Sequence, residues 1–186
     1  MLSEKESRQL LTLARDSIET YFSRQEPDTK DCDHLKEKQG VFVTLHKHGD
    51  LRGCIGFPYP TLPLFKGIIE GARAAAFEDP RFPDLKEDEL KEIDIEISVL
   101  TVPEEIKTPP EQRPEQIKIG EDGLIIKNSF TSGLLLPQVF TEYDCTPERA
   151  LEMTCQKAGL PTHAWKDSSV KILKFQAQIL SEQDVR

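Results

Sequence analysis

Nearly everything that marks a membrane, secreted or metal-binding protein is missing from this sequence. Its 186 residues contain no apolar run near the ~18 consecutive residues that a membrane span needs. The opening "MLSEKESRQL" is charged from its fourth residue and lacks the apolar core and small-residue cleavage site of a signal peptide, so a cytoplasmic location is expected. Cysteine is sparse: Cys32, Cys54, Cys145 and Cys155 show no Cys-x-x-Cys spacing, and free thiols are expected. His34, His46, His48 and His163 make no metal signature, and "HKHGD" reads as a solvated hairpin end rather than a ligand pair. Basic residues are outnumbered, 24 to 33, for a net charge of -9 without any basic cluster, which argues against nucleic-acid binding. Gly-rich phosphate loops, a Gly-x-Ser-x-Gly elbow and internal repeats are lacking too, and neither metal nor cofactor is expected.

What is present is a mixture of helices and hairpins. Residues 3–22 pair a Ser3–Glu6 capping-box spacing with Leu10, Leu11, Ala14, Ile18, Tyr21 and Phe22 at helical period. The following polar run, through "KDCDHLKEKQ", has too few apolar groups to pack and reads as a surface excursion in which Cys32 is incidental. "GVFVTLHKHGDLRGCIGF" reads as a hairpin turning at Gly49 and Asp50. Residues 61–77 carry a helical stripe with Gly67 and Gly71 one turn apart, as for the close approach of another backbone. After the loop "EDPRFPDL" and a short helical turn in "KEDELKEI", "IDIEISVLTV" alternates as a strand. The proline-rich stretch 103–116 reads as an extended joint, and a second hairpin is expected around Glu121, Asp122 and Gly123. "SGLLLPQV" reads as a buried strand stopped by Pro137, Thr146–Pro147 opens a helix that Gly159 closes, and "VKILKFQAQIL" is a last strand. Without regular strand-helix-strand alternation this is an α+β fold, an antiparallel sheet with flanking helices, in one domain of two interleaved subdomains.

The chemistry centres on "LRGCIG". Strict alternation places Arg52, Cys54 and Gly56 on one face of the strand and Leu51, Gly53, Ile55 and Phe57 on the other. A permanent cation about 6.6 Å along a strand favours a thiolate, and Gly53 and Gly56 would leave backbone open to a substrate. Equally, Cys54 can fill a small core space while Arg52 pairs with a carboxylate such as Glu96. No histidine lies nearby to serve as a base, so Glu96, on the polar face of an apolar strand, is the acid/base candidate. Asp79 and Arg81 flank Pro80 and can present a guanidinium to an anion or tie a loop, and Gln138 follows Pro137 where a side-chain amide can reach a cleft.

"LRGCIG", "EDPRFPDL", "IDIEISVL", "GLLLPQV" and "CQKAGL" before a tryptophan together resemble the AMMECR domain family over about residues 40–165. The resemblance implies a two-part α+β fold whose subdomains enclose a cleft. It carries over Arg52, Gly53, Cys54, Gly56, Asp79, Arg81, Phe82, Glu96, Ser98, Pro137, Gln138 and Trp165 as signature positions. It also implies association with a Memo-type protein and a radical SAM protein. The resulting expectation is a substrate-handling protein or enzyme for a small polar or anionic molecule, with Cys54 as nucleophile, Glu96 as acid/base, and Arg52, Gly53, Gly56, Asp79, Arg81 and Gln138 lining the site; the alternative is a non-catalytic module that docks such partners.

Overall fold

The computed structural model describes residues 2–184. The chain forms two compact units, one running up to Leu100 and resuming at Gln178, the other spanning Thr101–Ala177. Both are α+β, with antiparallel strand pairing throughout the ladders.

In the first unit, helix α1 (Glu4–Ser23) starts where the capping box puts it: Ser3 N–H donates to the Glu6 carboxylate at 2.8 Å and Glu6 N–H to the Ser3 hydroxyl. It ends on Arg24 in the left-handed region. Strands β1 (Gly40–Lys47), β2 (Asp50–Phe57) and β3 (Ile93–Leu100) lie in the order β2-β1-β3. Val41, Val43 and Leu45 of β1 and Ile93, Ile95 and Ile97 of β3 face α1 and α2 (Leu64–Phe77), where all six are almost wholly buried. The glycines of α2 serve this packing, because a side chain at Gly67 or Gly71 would meet Val41 or Val43. The polar run after α1 is not a free excursion. Cys32 is buried in the core and Leu35 packs on it, the short turn at Thr29–Asp33 turning these two inward. Burial, followed by the nearby Asp31 and Asp33 carboxylates, pushes the Cys32 thiol up to about 11.

In the second unit, β5 (Asp122–Lys127) pairs with β6 (Ser132–Leu135) and with β7 (Lys171–Ser181), while the two-residue β4 (Glu104–Glu105) joins β7. Around these strands pack α3 (Pro137–Glu142) and α4 (Pro147–Lys157), over a core that includes Leu124, Ile126, Phe140, Leu151, Cys155 and Trp165. Here the hairpin lies one element later than the sequence suggests. Residues 118–122 form a turn, with the buried Asp122 carboxylate accepting from Lys118 N–H, and the hairpin is β5–β6 around Asn128–Thr131. Pro137 opens α3 at its first position as well as ending a strand. The proline-rich stretch lies within this unit and is not merely extended. It contains β4 and two short 3-10 turns, and Arg113 is buried and donates to the carbonyl oxygens of Trp165 and Asp167. No helix among the described residues is long and apolar enough to cross a membrane.

Candidate functional site

The β1–β2 turn is His48–Gly49, both at positive φ, so Asp50 already belongs to β2. A regular hairpin from that turn would pair Thr44 with Gly53. Instead Leu45 pairs with Gly53 while His46 pairs with Leu51, leaving Arg52 as the extra residue of a β-bulge. The bulge corrects the simple alternation in two ways. Leu51, cross-strand from His46 and 42% exposed, stands on the same face as Cys54, and Arg52 does not. The Arg52 guanidinium goes instead to Glu89, in the 3-10 turn Glu87–Lys91: Nε donates to Oε1 at 3.2 Å and Nη2 to Oε2 at 3.0 Å. Its remaining bonds reach the carbonyl oxygens of Pro83 and Asp84. Arg52 is buried and its donors are committed, so it ties the loop after α2 to the hairpin, and its carboxylate partner is Glu89 rather than Glu96. Glu89 also accepts from Lys47, which pairs in turn with Glu92. The Arg52 hydrogen bonds, followed by those from Lys86 N–H and Lys47, hold Glu89 down at about 2 against the cost of its burial.

Beyond the bulge, Cys54 pairs with Thr44, and Thr44 pairs with Glu96. Cross-strand partners project to the same side of a sheet, so Cys54, Thr44 and Glu96 form one row on the face opposite the helices. The Thr44 hydroxyl donates to Cys54 Sγ at 3.2 Å. Adjacent strands are about 4.8 Å apart, which puts the Cys54 and Glu96 backbones roughly 10 Å apart with Thr44 between them. Glu96 and the Cys54 thiol therefore stand at opposite ends of the row. Glu96 is half-buried, and among the described residues no hydrogen bond or ion pair reaches it.

The backbone of Cys54 turns its polar groups away from β1. Its N–H donates to Asp79 Oδ2 at 2.9 Å and its carbonyl accepts from Arg81 Nη2 at 3.3 Å. Asp79, 5% exposed at the end of α2, also takes the Arg81 Nε and Nη2 hydrogens and the Arg81 N–H. The Arg81 hydrogen bonds, with those from the Cys54 and Arg81 N–H groups, hold the Asp79 carboxyl well below the usual carboxylate range despite burial. Arg81 keeps half of its side chain in solvent and donates to the Cys54 carbonyl oxygen, so the cation that contacts this residue is Arg81 rather than Arg52.

The glycines of the motif are filled by the protein itself. A Cβ at Gly53 would come within 2.1 Å of the Ala75 carbonyl oxygen of α2, and one at Gly56 within 2.4 Å of the Phe42 ring. Both permit close packing rather than leaving backbone open to a ligand. Gln138 belongs to the second unit, as second residue of α3, with its Oε1 buried and without a hydrogen-bond partner among the described residues. The surroundings of Cys54 described above come from first-unit residues alone. Among the described residues no group of three or more His, Cys, Asp or Glu side chains is arranged to hold a metal ion. Two contributors, Thr44 and Glu89, have no motif to announce them. Thr44 needs the bulged register to be found, whereas Glu89 sits three residues after Lys86 as the N3 partner of a cap.

The AMMECR1 family model matches residues 11–180, including every residue of this arrangement. The chain belongs to the AMMECR1 family. It is 50% identical over 182 residues to a protein of Thermococcus onnurineus, covering 94% of this chain and 89% of that one. A protein of Methanothermobacter thermautotrophicus is 46% identical over 186 residues, covering 97% and 96%. A crystal structure of an uncharacterized protein from Pyrococcus horikoshii superposes with a TM-score of 0.89 at 45% identity, covering 96% of this chain and 92% of that one. The α+β architecture is thus shared with an experimentally solved member of the AMMECR1 family.

Proposed function

We propose that this AMMECR1-family protein handles a small polar molecule at the Cys54–Thr44–Glu96 row, with Cys54 as nucleophile. The supporting observation is differential exposure: Cys32, Cys145 and Cys155 are buried, whereas Cys54 is partly open on the polar face with a hydroxyl donor and a cation beside it. In this reading Arg81 receives an anionic group of the substrate on its exposed side, and Glu96 exchanges a proton with the bound molecule. Arg52, Asp79, Gly53 and Gly56 hold the strand in place. Peptide mapping after brief alkylation of the folded protein checks this. Cys54 should be modified well before the other three cysteines, and iodoacetate should lose ground to neutral iodoacetamide by several-fold in Arg81→Ala. Equal labelling of Cys54 and the buried Cys32 would end the nucleophile assignment.

One observation favours a second reading, a docking module for a Memo-type or radical SAM partner. Phe130 is 93% exposed at the tip of the β5–β6 hairpin, where the Asn128 side chain fixes the turn by accepting from Phe130 N–H and Thr131 N–H. Under this reading Phe130→Ser abolishes partner capture and Cys54→Ser leaves it intact.

A further inference from the structure

At the Glu96 end of the polar face, away from Arg81, the uncommitted charge is negative, and beside it lies a small cavity of about 250 Å³ whose lining includes His46, Gly49, Asp94, Glu96, Ser181 and Gln183. Its walls are fixed by the chain. Asp94 stands cross-strand from His46, Gln183 Nε2 donates to Asp94 Oδ2, and Glu182 anchors the closing turn by accepting from Ile95 N–H and from Arg15. Arg15, whose charge is felt at Asp94, is engaged by Glu182 and by the carbonyl oxygens of Leu90 and Ile93. Arg52 is committed to Glu89, and neither arginine lines the cavity. The wall that meets the row is the carboxylate of Glu96, to which nothing among the described residues is bonded. A cavity of this size has room for roughly eight water-sized groups, enough for a small organic molecule, and an unpaired carboxylate at its wall is complementary to a cation that donates hydrogen bonds.

We propose that this cavity is the subsite for a primary ammonium group, so that the molecule handled on the Cys54 face is a small amine held by Glu96. The ammonium donates to the Glu96 carboxylate, with Ser181, His46 and Gln183 offering further polar contacts, and the rest of the molecule runs past Thr44 toward Cys54, roughly 10 Å away along the row. The inference deepens the reading of the Cys54 face as a small-molecule site but does not require the thiol to react.

The test uses the full chain and three small probes with the same four-carbon chain length and different head groups: butylammonium, butanol and butyrate. Backbone amide shifts at His46, Asp94, Glu96 and Gln183 report binding. Butylammonium should shift them in the wild-type protein while butanol and butyrate at the same concentration do not. Glu96→Gln should weaken the ammonium by about tenfold, the size of one lost charge-assisted hydrogen bond. Cys54→Ser should bind it unchanged, so a failed nucleophile role leaves this result standing, and the reverse. Butyrate shifting the same amides as strongly, or butylammonium shifting none of them, overturns the proposal. That contrast is made on the unsubstituted protein and does not depend on how the Glu96 variant folds.

Discussion

The two tight hairpins of this protein are secured by different means. The β1–β2 hairpin depends on side-chain charge. A bulge sends Arg52 to Glu89, Lys47 joins the same carboxylate, and Asp79 with Arg81 takes both polar groups of the Cys54 backbone. The β5–β6 hairpin has its turn fixed by the neutral Asn128 side chain, and carries its largest tip residue in solvent. The strand that carries the Cys54 thiol is held by groups that resist sliding. A tip that presents an aromatic ring needs only its local turn.

Breaking the charge lock separates the two most sharply. Glu89→Ala leaves Arg52 buried without its carboxylate, and a loss of about 3–5 kcal/mol is expected in denaturant unfolding. Acid applies a milder version of the same break. The Glu89 carboxyl titrates lower in the folded protein, at about 2, than its ordinary 4.5, and the Asp79 carboxyl is likewise depressed. Their stabilisation is therefore complete above about pH 4.5 and is lost as the pH falls from there toward 2, with Glu89 contributing on the order of 3 kcal/mol. Hydrogen exchange between pH 5 and 3 should accordingly show the β1–β2 amides losing protection before those of β5–β6; simultaneous loss would remove the distinction. The smallest effect is expected at the other hairpin, where Phe130→Ser should change stability by no more than about 0.5 kcal/mol. A larger change in thermal unfolding would mean that the ring is packed.

The elements that sequence reasoning found are those in which local signals agree. The Ser3 capping box, the alternation of Ile93, Ile95 and Ile97, and the Thr146 cap with Gly159 in the left-handed region all point to what is seen. The misplacements arise where one residue changes the pattern through a tertiary contact. Asp122 caps a turn with its buried carboxylate where alternation suggested two strands, and Cys32 with Leu35 reaches the core from a run too polar to announce packing. At the site, Cys54 and Glu96 were legible as a thiol and a carboxylate on polar faces, but their spacing was not. The extra residue at Arg52 changes which residue of β1 lies opposite Cys54, and no strict period of two encodes a bulge.

The Asp79–Arg81 pair has a consequence for how the molecule meets other chains. By position β2 is the outermost strand on its side, the kind that recruits a foreign strand through its free backbone groups. At Cys54 those groups are already satisfied, the amide by a carboxylate and the carbonyl by a guanidinium, as an adjoining strand would satisfy them. A visiting peptide finds no open rung at that point, and the thiol is approached from above the sheet rather than along its margin.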